Sequence, residues 1–322
     1  MRTADFGDSI PADQRAALLR RIPASCRPWG RGWCAAAACI LEASAPKPGN
    51  VHPAADFDDL SHAELVAAGI AIAPAMEAAA ARPLGRSILD AVTASRRCTR
   101  SNANLGIVLA IAPLAAVPDG VAGEERMPFG TAAIRPDAVA ALLGGLSADD
   151  AAAVWRAIAI AAPGGMGTSG RCDVAGPPPA DLLEAMRLAA PRDRIARLWT
   201  EGYRDLFDGL VRDLDEGLAS GIDLSDVIVQ AFLRQLARCP DSLIVRKHGD
   251  VVAAEVSARA AGILSLPPDE RPAALAAFDR ELRQPQRVNP GTTADLVAAA
   301  LYILLRSGRL RTFLEPLLPA TA

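Results

Sequence analysis

The residue types best suited to polar chemistry are unevenly spread along this chain. Of its 34 basic residues 32 are Arg, and the two Lys are Lys47 and Lys247. Asn occurs at Asn50, Asn102, Asn104 and Asn289, and His at His52, His62 and His248. A chain that uses Arg and Ala almost everywhere, as a GC-rich coding bias produces, keeps these types at a few points. Eight of the nine fall within residues 42–59, 99–106, 241–249 and 288–295. A compact, rotatable ammonium meets a phosphate oxygen in a way a planar guanidinium does not reproduce, and an Asn amide donates and accepts from separate atoms. Each segment lies at an expected helix end or in a loop, where unpaired N–H groups bind anions. The expectation is one polar site, assembled from four distant segments, for a phosphate-bearing ligand.

Taken singly, each segment also has a plain structural reading. Lys47-Pro48-Gly49-Asn50 is ordinary turn chemistry. Asp56, Asp58 and Asp59 read either as a solvated approach to a helix or as hard oxygen ligands for Mg²⁺. Ser101 to Asn104 and Asn289 to Thr293 suit helix caps as well as ligand contacts, while His62, Trp155, Trp199 and Phe207 suit packing. Familiar phosphate signatures are missing: the Gly-rich run 163–170 lacks the G-K-[ST] ending of a P-loop and follows no strand. A nucleotide site here is therefore expected to be built from helices.

The four segments together resemble the triphosphoribosyl-dephospho-CoA synthase family. Glu42-Ala43-Ser44-Ala45-Pro46-Lys47-Pro48-Gly49-Asn50-Val51 is similar to that family's E-x-[ST]-x-x-P-K-P-G-x-V stretch, whose spacing differs by one residue in some members. Asp241 to Gly249 resembles its D-[ST]-x-[IV]-x-x-[RK]-x-G segment, and Asn289 to Leu296 its [SN]-P-G-[GT]-[ST]-A-D-L segment. Residues 99–106 look like the form in an archaeal, tetrahydromethanopterin-linked branch. Where the synthases proper carry T-[NH]-x-H-K-G, this chain has Asn102, Asn104 and Leu105, which leaves the acceptor open. The likeness runs from about residue 30 to 308, with the segments in the family's order.

That resemblance implies an all-helical, ATP-dependent transferase that joins the triphosphoribosyl part of ATP to a ribose hydroxyl of 3'-dephospho-CoA or a related acceptor, releasing adenine through an oxocarbenium-like transition state. It implies carboxylates at the reacting centre, with Glu42, Asp59 and Asp295 as the catalytic candidates, and Mg²⁺ accompanying ATP on Asp58 and Asp59. The substrate-binding candidates are Lys47, Gly49, Asn50, His52, Asn102, Asn104, Asp241, Arg246, Lys247, His248, Asn289, Gly291 and Thr292. Lys47, Arg246 and Lys247 are expected to neutralise phosphates, and Gly49 and Gly291 to let backbone approach them. Two other readings stand beside it: a related transferase of tetrahydromethanopterin-type C1-cofactor synthesis, and a non-catalytic helical nucleotide-binding protein.

The elements that must carry these residues are helices. Ala and Leu dominate, both strong helix formers, and apolar periodicity marks helices near 29–43, 61–81, 84–97, 105–117, 148–162, 180–190, 192–219, 224–237, 251–264, 271–282 and 293–306. Ser61 with Glu64 forms a capping-box signature, Ser147 caps the 148–162 helix and Asp223 the 224–237 helix. No alternating strand pattern appears. The 25 Gly and 25 Pro collect in joints, and the long 163–179 connection has the length of a functional or mobile loop. With no composition shift marking a linker, the organisation expected is an N-terminal extension 1–28, one compact multi-helix domain 29–310 with its functional loops at helix ends, and a tail 311–322.

Charge and composition narrow the partners. A formal charge of −3 and 13 aromatic residues give no general attraction to phosphate backbones and few platforms for stacking bases, so nucleic acid is not the expected partner. No signal-peptide pattern and no uninterrupted apolar span is present; residues 65–81, interrupted by Pro74 and Glu77, read as a buried helix. A cytoplasmic protein off the membrane is expected, with a homodimer as a candidate assembly. The six Cys lack any C-x-x-C pair and read as reduced core thiols.

Overall fold

A computed structural model describes residues 29–101, 103–119, 134–162 and 174–311. Asn102, Cys26, Cys172, the expected extension 1–28, most of the 163–179 connection and the end of the tail lie outside the described residues. The helices are α1 (Arg31–Ser44), α2 (His62–Ala71), α3 (Ala73–Glu77), α4 (Leu84–Arg96), α5 (Leu105–Ala116), α6 (Pro136–Gly144), α7 (Ala148–Ala161), α8 (Leu182–Ala189) and α9 (Arg194–Thr200). They continue as α10 (Arg204–Leu206), α11 (Arg212–Ala219), α12 (Leu224–Arg238), α13 (Ser242–His248), α14 (Asp250–Ser265), α15 (Arg271–Arg283) and α16 (Gly291–Arg306). Among the described residues there is no β-strand, only the isolated bridges His52 with Ala55 and Phe57 with Leu60. The fold is all-α, as the periodicity predicts.

Two helices form the centre. α16 buries every residue but Gly291 and Asp295, and α5 buries ten consecutive residues from Ile107 to Ala116. A helix apolar on all faces must be enclosed by others, and α16 packs against α1, α5, α12, α13 and the π turn Phe207–Val211. Pro113 inside α5 has no N–H, so the carbonyl four residues back, at Leu109, loses its helical donor. Trp199 Nε1 donates to that carbonyl at 2.9 Å, and Tyr203 Oη donates to Ala110 O at 2.9 Å. The aromatic pair thus fixes α9 on α5, beside what becomes the cavity.

Caps set the remaining joints. The Ser61–Glu64 capping box forms as predicted, and so does a box of Ser147 with Asp150. The Asp150 carboxylate also accepts the Gly85 N–H at 2.7 Å, joining α7 to α4. Asp223 precedes α12 without a side-chain cap bond. The expected 192–219 helix is broken by positive φ at Gly202 and Tyr203 and by the π turn. Two short helices, α6 and α13, went unpredicted because one turn or two carries too little periodicity.

The run His62–Ala81 departs from a single buried helix. It is the one continuous described helical run whose length and mean hydropathy (1.5) match a membrane span; 39% of its most apolar 18 residues are buried and Ile70 is 55% exposed. The helix breaks at Ile72 before Pro74. Glu64 in this run binds Arg100, and Glu77 accepts the Gly32 N–H at 2.7 Å. Cys34, Cys39, Cys98 and Cys239 are free thiols; burial pushes Cys34 up to about 12, which keeps it an unreactive core group.

Candidate functional site

The four predicted segments meet at the N-terminal turn of α16, each through an identifiable contact. Asn50 Nδ2 donates to Asn289 Oδ1 at 2.6 Å, tying the first segment to the fourth. Asp241 ties the third to the fourth: its carboxylate caps α13 by accepting the Leu243 and Ile244 N–H groups. It also accepts the N–H and hydroxyl of Thr293 at 2.6 and 2.7 Å. The second segment meets the fourth where the Asp295 carboxylate lies against Gly106. Ser242 Oγ donates to Thr292 Oγ1 at 3.1 Å, adding a further link.

These contacts enclose a cavity of about 810 Å³. Its wall includes Glu42, Asn50, Asp59, Arg246, Lys247, Asn289, Gly291, Thr292 and Asp295 among the predicted residues. Six cationic side chains face it, Arg96, Arg100, Arg192, Arg246, Lys247 and Arg287, against the four carboxylates Glu42, Asp59, Asp193 and Asp295. Low-dielectric walls lined with excess cations focus positive potential into a cleft. The lining also includes apolar side chains, among them Ile107, Trp155, Ile158, Met186 and Leu188. The cavity therefore offers cations to anionic groups and apolar surface to an apolar or ring-shaped portion of a ligand.

At the cavity floor two carboxylates stand in unlike surroundings. Glu42, at the end of α1, pairs with the fully buried Lys47 ammonium at 3.0 Å. Asp295 touches the cavity but has protein on its other sides, and no hydrogen-bond donor reaches it among the described residues. Burial, then the negative charges of Glu42, Asp241 and Asp193, push its carboxyl well above the usual range. One carboxylate with a cation beside it and one carboxyl biased toward its protonated form is an arrangement suited to paired base and acid work.

Cations gather at the mouth. Burial and the neighbouring Arg287 and Arg246 push the Lys247 ammonium below its usual value, as expected of a group awaiting an anion. Arg287 holds a positive φ of 49°, pairs with Asp59 at 2.5 Å and lies 4.0 Å over the Phe57 ring. Strained backbone at such a position persists only when its surroundings fix it. Arg287, Arg96, Arg100 and Arg192 were missed by the scarcity criterion, because Arg is the common base of this chain.

Several predicted residues do not face the cavity. Lys47 differs most from expectation: its ammonium donates to the Glu42 and Ala45 carbonyls, pairs with the Glu42 carboxylate and has no exposure, so it supports Glu42 from behind the cavity wall. Gly49 turns with φ +76° against Leu282 and Val288, and donates its N–H to Asp279 at 2.8 Å. Its role is the turn. Arg283 reinforces it, pairing with Asp279 at 2.7 Å and donating to the Asn50 carbonyl. Asp241 is saturated by the four donors already named, so it clamps helices and has no capacity left for substrate.

Asp58 is exposed and outside the wall, which separates it from Asp59 as a metal pair. His52 and His248 also lie off the wall, and burial with the nearby Arg283 pushes the His52 imidazole below its usual value. Asn104 stands at the N-cap position of α5 with no cap bond, its side-chain amide nitrogen buried and unpartnered among the described residues. Asn102 cannot be placed, lying outside them. No cluster of three His, Cys, Asp or Glu suited to a metal occurs among the described residues.

A sequence model of the CitG family, described as ATP:dephospho-CoA triphosphoribosyl transferase, matches residues 28–312. Among solved structures, the chain is similar to an Archaeoglobus fulgidus protein provisionally described as a triphosphoribosyl-dephospho-CoA synthase. The two share 22% identity over 76% of this chain and 99% of that one, with a TM-score of 0.57. At that identity the likeness concerns the fold alone. No curated protein matches the chain in sequence.

Proposed function

The chain belongs to the CitG family of triphosphoribosyl transferases, and from that premise we propose that it transfers the triphosphoribosyl part of ATP to a ribose hydroxyl of 3'-dephospho-CoA, releasing adenine. The observation that carries this reading is the convergence of the four segments on one cavity with a cationic mouth and two unlike carboxyl groups at its floor. In the reaction the C1'–N9 bond of ATP breaks and a C1'–O bond to the acceptor forms. The hydroxyl proton leaves to a base, and the departing adenine receives a proton from an acid. Asp295, whose surroundings favour its protonated form, is the acid; Glu42 takes the hydroxyl proton and offsets the positive charge that develops at C1'. The net transfer moves one proton from hydroxyl to adenine.

Arg246, Lys247 and Arg287 hold the triphosphate, and Asn50 with Asn289 orients a ribose. The apolar part of the lining excludes water, which would otherwise compete with the hydroxyl. Mg²⁺ is expected with ATP. It needs one or two carboxylates besides phosphate oxygens and water, and Asp59 at the rim supplies hard oxygen of that kind. Bound there it would neutralise triphosphate charge.

Purified protein mixed with ATP, Mg²⁺ and 3'-dephospho-CoA is expected to release adenine in a one-to-one ratio with a product heavier than the acceptor by the triphosphoribosyl group. Chromatography with mass spectrometry reads both. Tight ATP binding with no adenine release would turn the reading toward a non-catalytic nucleotide-binding protein. Release that requires a pterin-type acceptor would keep the donor and replace the acceptor.

Lys247→Ala is expected to weaken Mg·ATP binding about 10- to 100-fold, the effect of one charge-assisted contact, and to leave the melting temperature nearly unchanged, since the partly desolvated Lys247 side chain makes no hydrogen bond or ion pair among the described residues. Calorimetric titration checks the first and a thermal melt the second. Wild-type affinity in the variant would remove Lys247 from the site.

A further inference from the structure

Asp295 reaches the cavity from α16 by crossing the first turn of α5, and Gly106 is the residue it crosses. A Cβ at Gly106 would stand 2.5 Å from the Asp295 carboxyl carbon and closer still to Oδ2. Real Cβ atoms do not make such contacts, and both partners are held: Gly106 sits in a rigid, buried helix, and the Asp295 backbone belongs to the central helix. The other helical glycines differ in kind. Gly69, Gly217 and Gly291 meet the side chains of Cys39, Val227 and Leu243, Gly85 meets the Asp150 backbone, Gly209 lies 3.7 Å from Arg238, which is off the cavity wall, and Gly144 and Gly262 meet nothing within 4 Å. Gly106 alone among them meets an ionisable group on the cavity wall.

We propose that Gly106 is a positioning residue: the notch left by its missing side chain is what seats the Asp295 carboxyl at the cavity floor. The idea deepens the transferase reading and rests on it for the role of Asp295. The groups that face Asp295 from its neighbours are Glu42 and Cys39 of α1, Asp193 before α9, Asp241 before α13 and Arg246 of α13. Any displacement of the carboxyl changes its distance to all of them. A methyl group at residue 106 is expected to turn the carboxyl away from the reacting atoms without altering the triphosphate contacts at the mouth.

The test is a cycle of Gly106→Ala, Asp295→Asn and the double variant, each measured for kcat, KM for ATP and melting temperature, with Gly144→Ala as the control for adding a methyl group to an open helix position. Gly106→Ala is expected to lower kcat about 100-fold with KM for ATP within about twofold, comparable to a lost acid catalyst. The double variant is expected to turn over no more slowly than Asp295→Asn alone. A kcat near wild type in Gly106→Ala, or losses that multiply in the double variant, would overturn the seating.

Should Gly106→Ala fail to fold, Gly106→Ala combined with Asp295→Ala decides the matter. Recovery of a folded protein supports a clash with the carboxyl, and continued failure overturns it. If Asp295→Asn itself turns over like wild type, the transferase reading of Asp295 fails, and the recovery experiment still reports on the notch.

Discussion

Asp295→Asn is expected to lower turnover at least about 100-fold, the usual worth of a positioned acid catalyst, and to raise the melting temperature at neutral pH. Both effects have one cause. Asp295 has protein on every side but the cavity's, faces Glu42, Asp241 and Asp193, and receives no donor among the described residues, so its carboxyl is pushed well above the ordinary value of 3.8. A carboxyl whose folded pKa is raised binds its proton more tightly in the folded state. The stability it contributes is full below the unfolded value and is lost as pH rises through the folded one. At pH 7 the wild-type protein therefore carries either a buried charge or the cost of holding a proton, and an amide of the same shape removes that cost. Melts of wild type and variant from pH 4 upward should diverge progressively, with the variant gaining. Equal or lower stability of Asp295→Asn at pH 7 would mean that the carboxyl is paired by a donor and unsuited to act as the acid.

The second large effect concerns Lys47, and here the outcome is loss of fold stability. The Lys47 ammonium and the Glu42 carboxylate are 0% and 7% exposed and 3.0 Å apart. Removing one partner of a buried pair leaves an uncompensated charge, at a cost of about 3–5 kcal/mol. Lys47→Ala should therefore unfold at much lower urea, with turnover lost as well because Glu42 is released. Replacing both partners together, Lys47→Met with Glu42→Leu, should recover most of the stability and none of the activity, since well-packed apolar substitutes for a buried pair are often close to neutral. A Lys47→Ala protein of normal stability and no ATP affinity would instead make Lys47 a ligand contact.

The contrast between Lys47 and Lys247 shows what the sequence makes legible. Scarcity marks residues that a common type cannot replace, and both lysines are of that kind. It does not distinguish a lysine irreplaceable because it is buried on a carboxylate from one irreplaceable because it meets a ligand. The same ambiguity affects Asp241, whose four accepted hydrogen bonds make it a clamp between α13 and α16. The converse error is the omission of Arg287. Nothing in the sequence separates it from 31 other arginines; its significance lies in a positive φ, Phe57 and Asp59, which only the folded chain brings together.

Long helices were legible because their apolar faces repeat over several turns, as in α1, α7 and α12. The break after Thr200 was not, although Gly202 lies there, because a glycine within an apolar pattern is often tolerated in a helix. Gly106 escaped notice for a related reason. It closes the T-[NH]-x-H-K-G pattern, but the demand on it comes from a carboxyl 189 positions away in sequence, and the pattern does not say what that glycine meets.

A crystal structure of the protein with Mg²⁺ and ATP, or a non-hydrolysable ATP analogue, tests most directly whether the four segments form one reacting centre. The triphosphate is predicted against Arg246, Lys247 and Arg287, with the ribose at Asn50 and Asn289 and its C1' between Glu42 and Asp295. A nucleotide bound with its triphosphate away from these three cations, or with C1' outside the reach of both carboxyl groups, would contradict it.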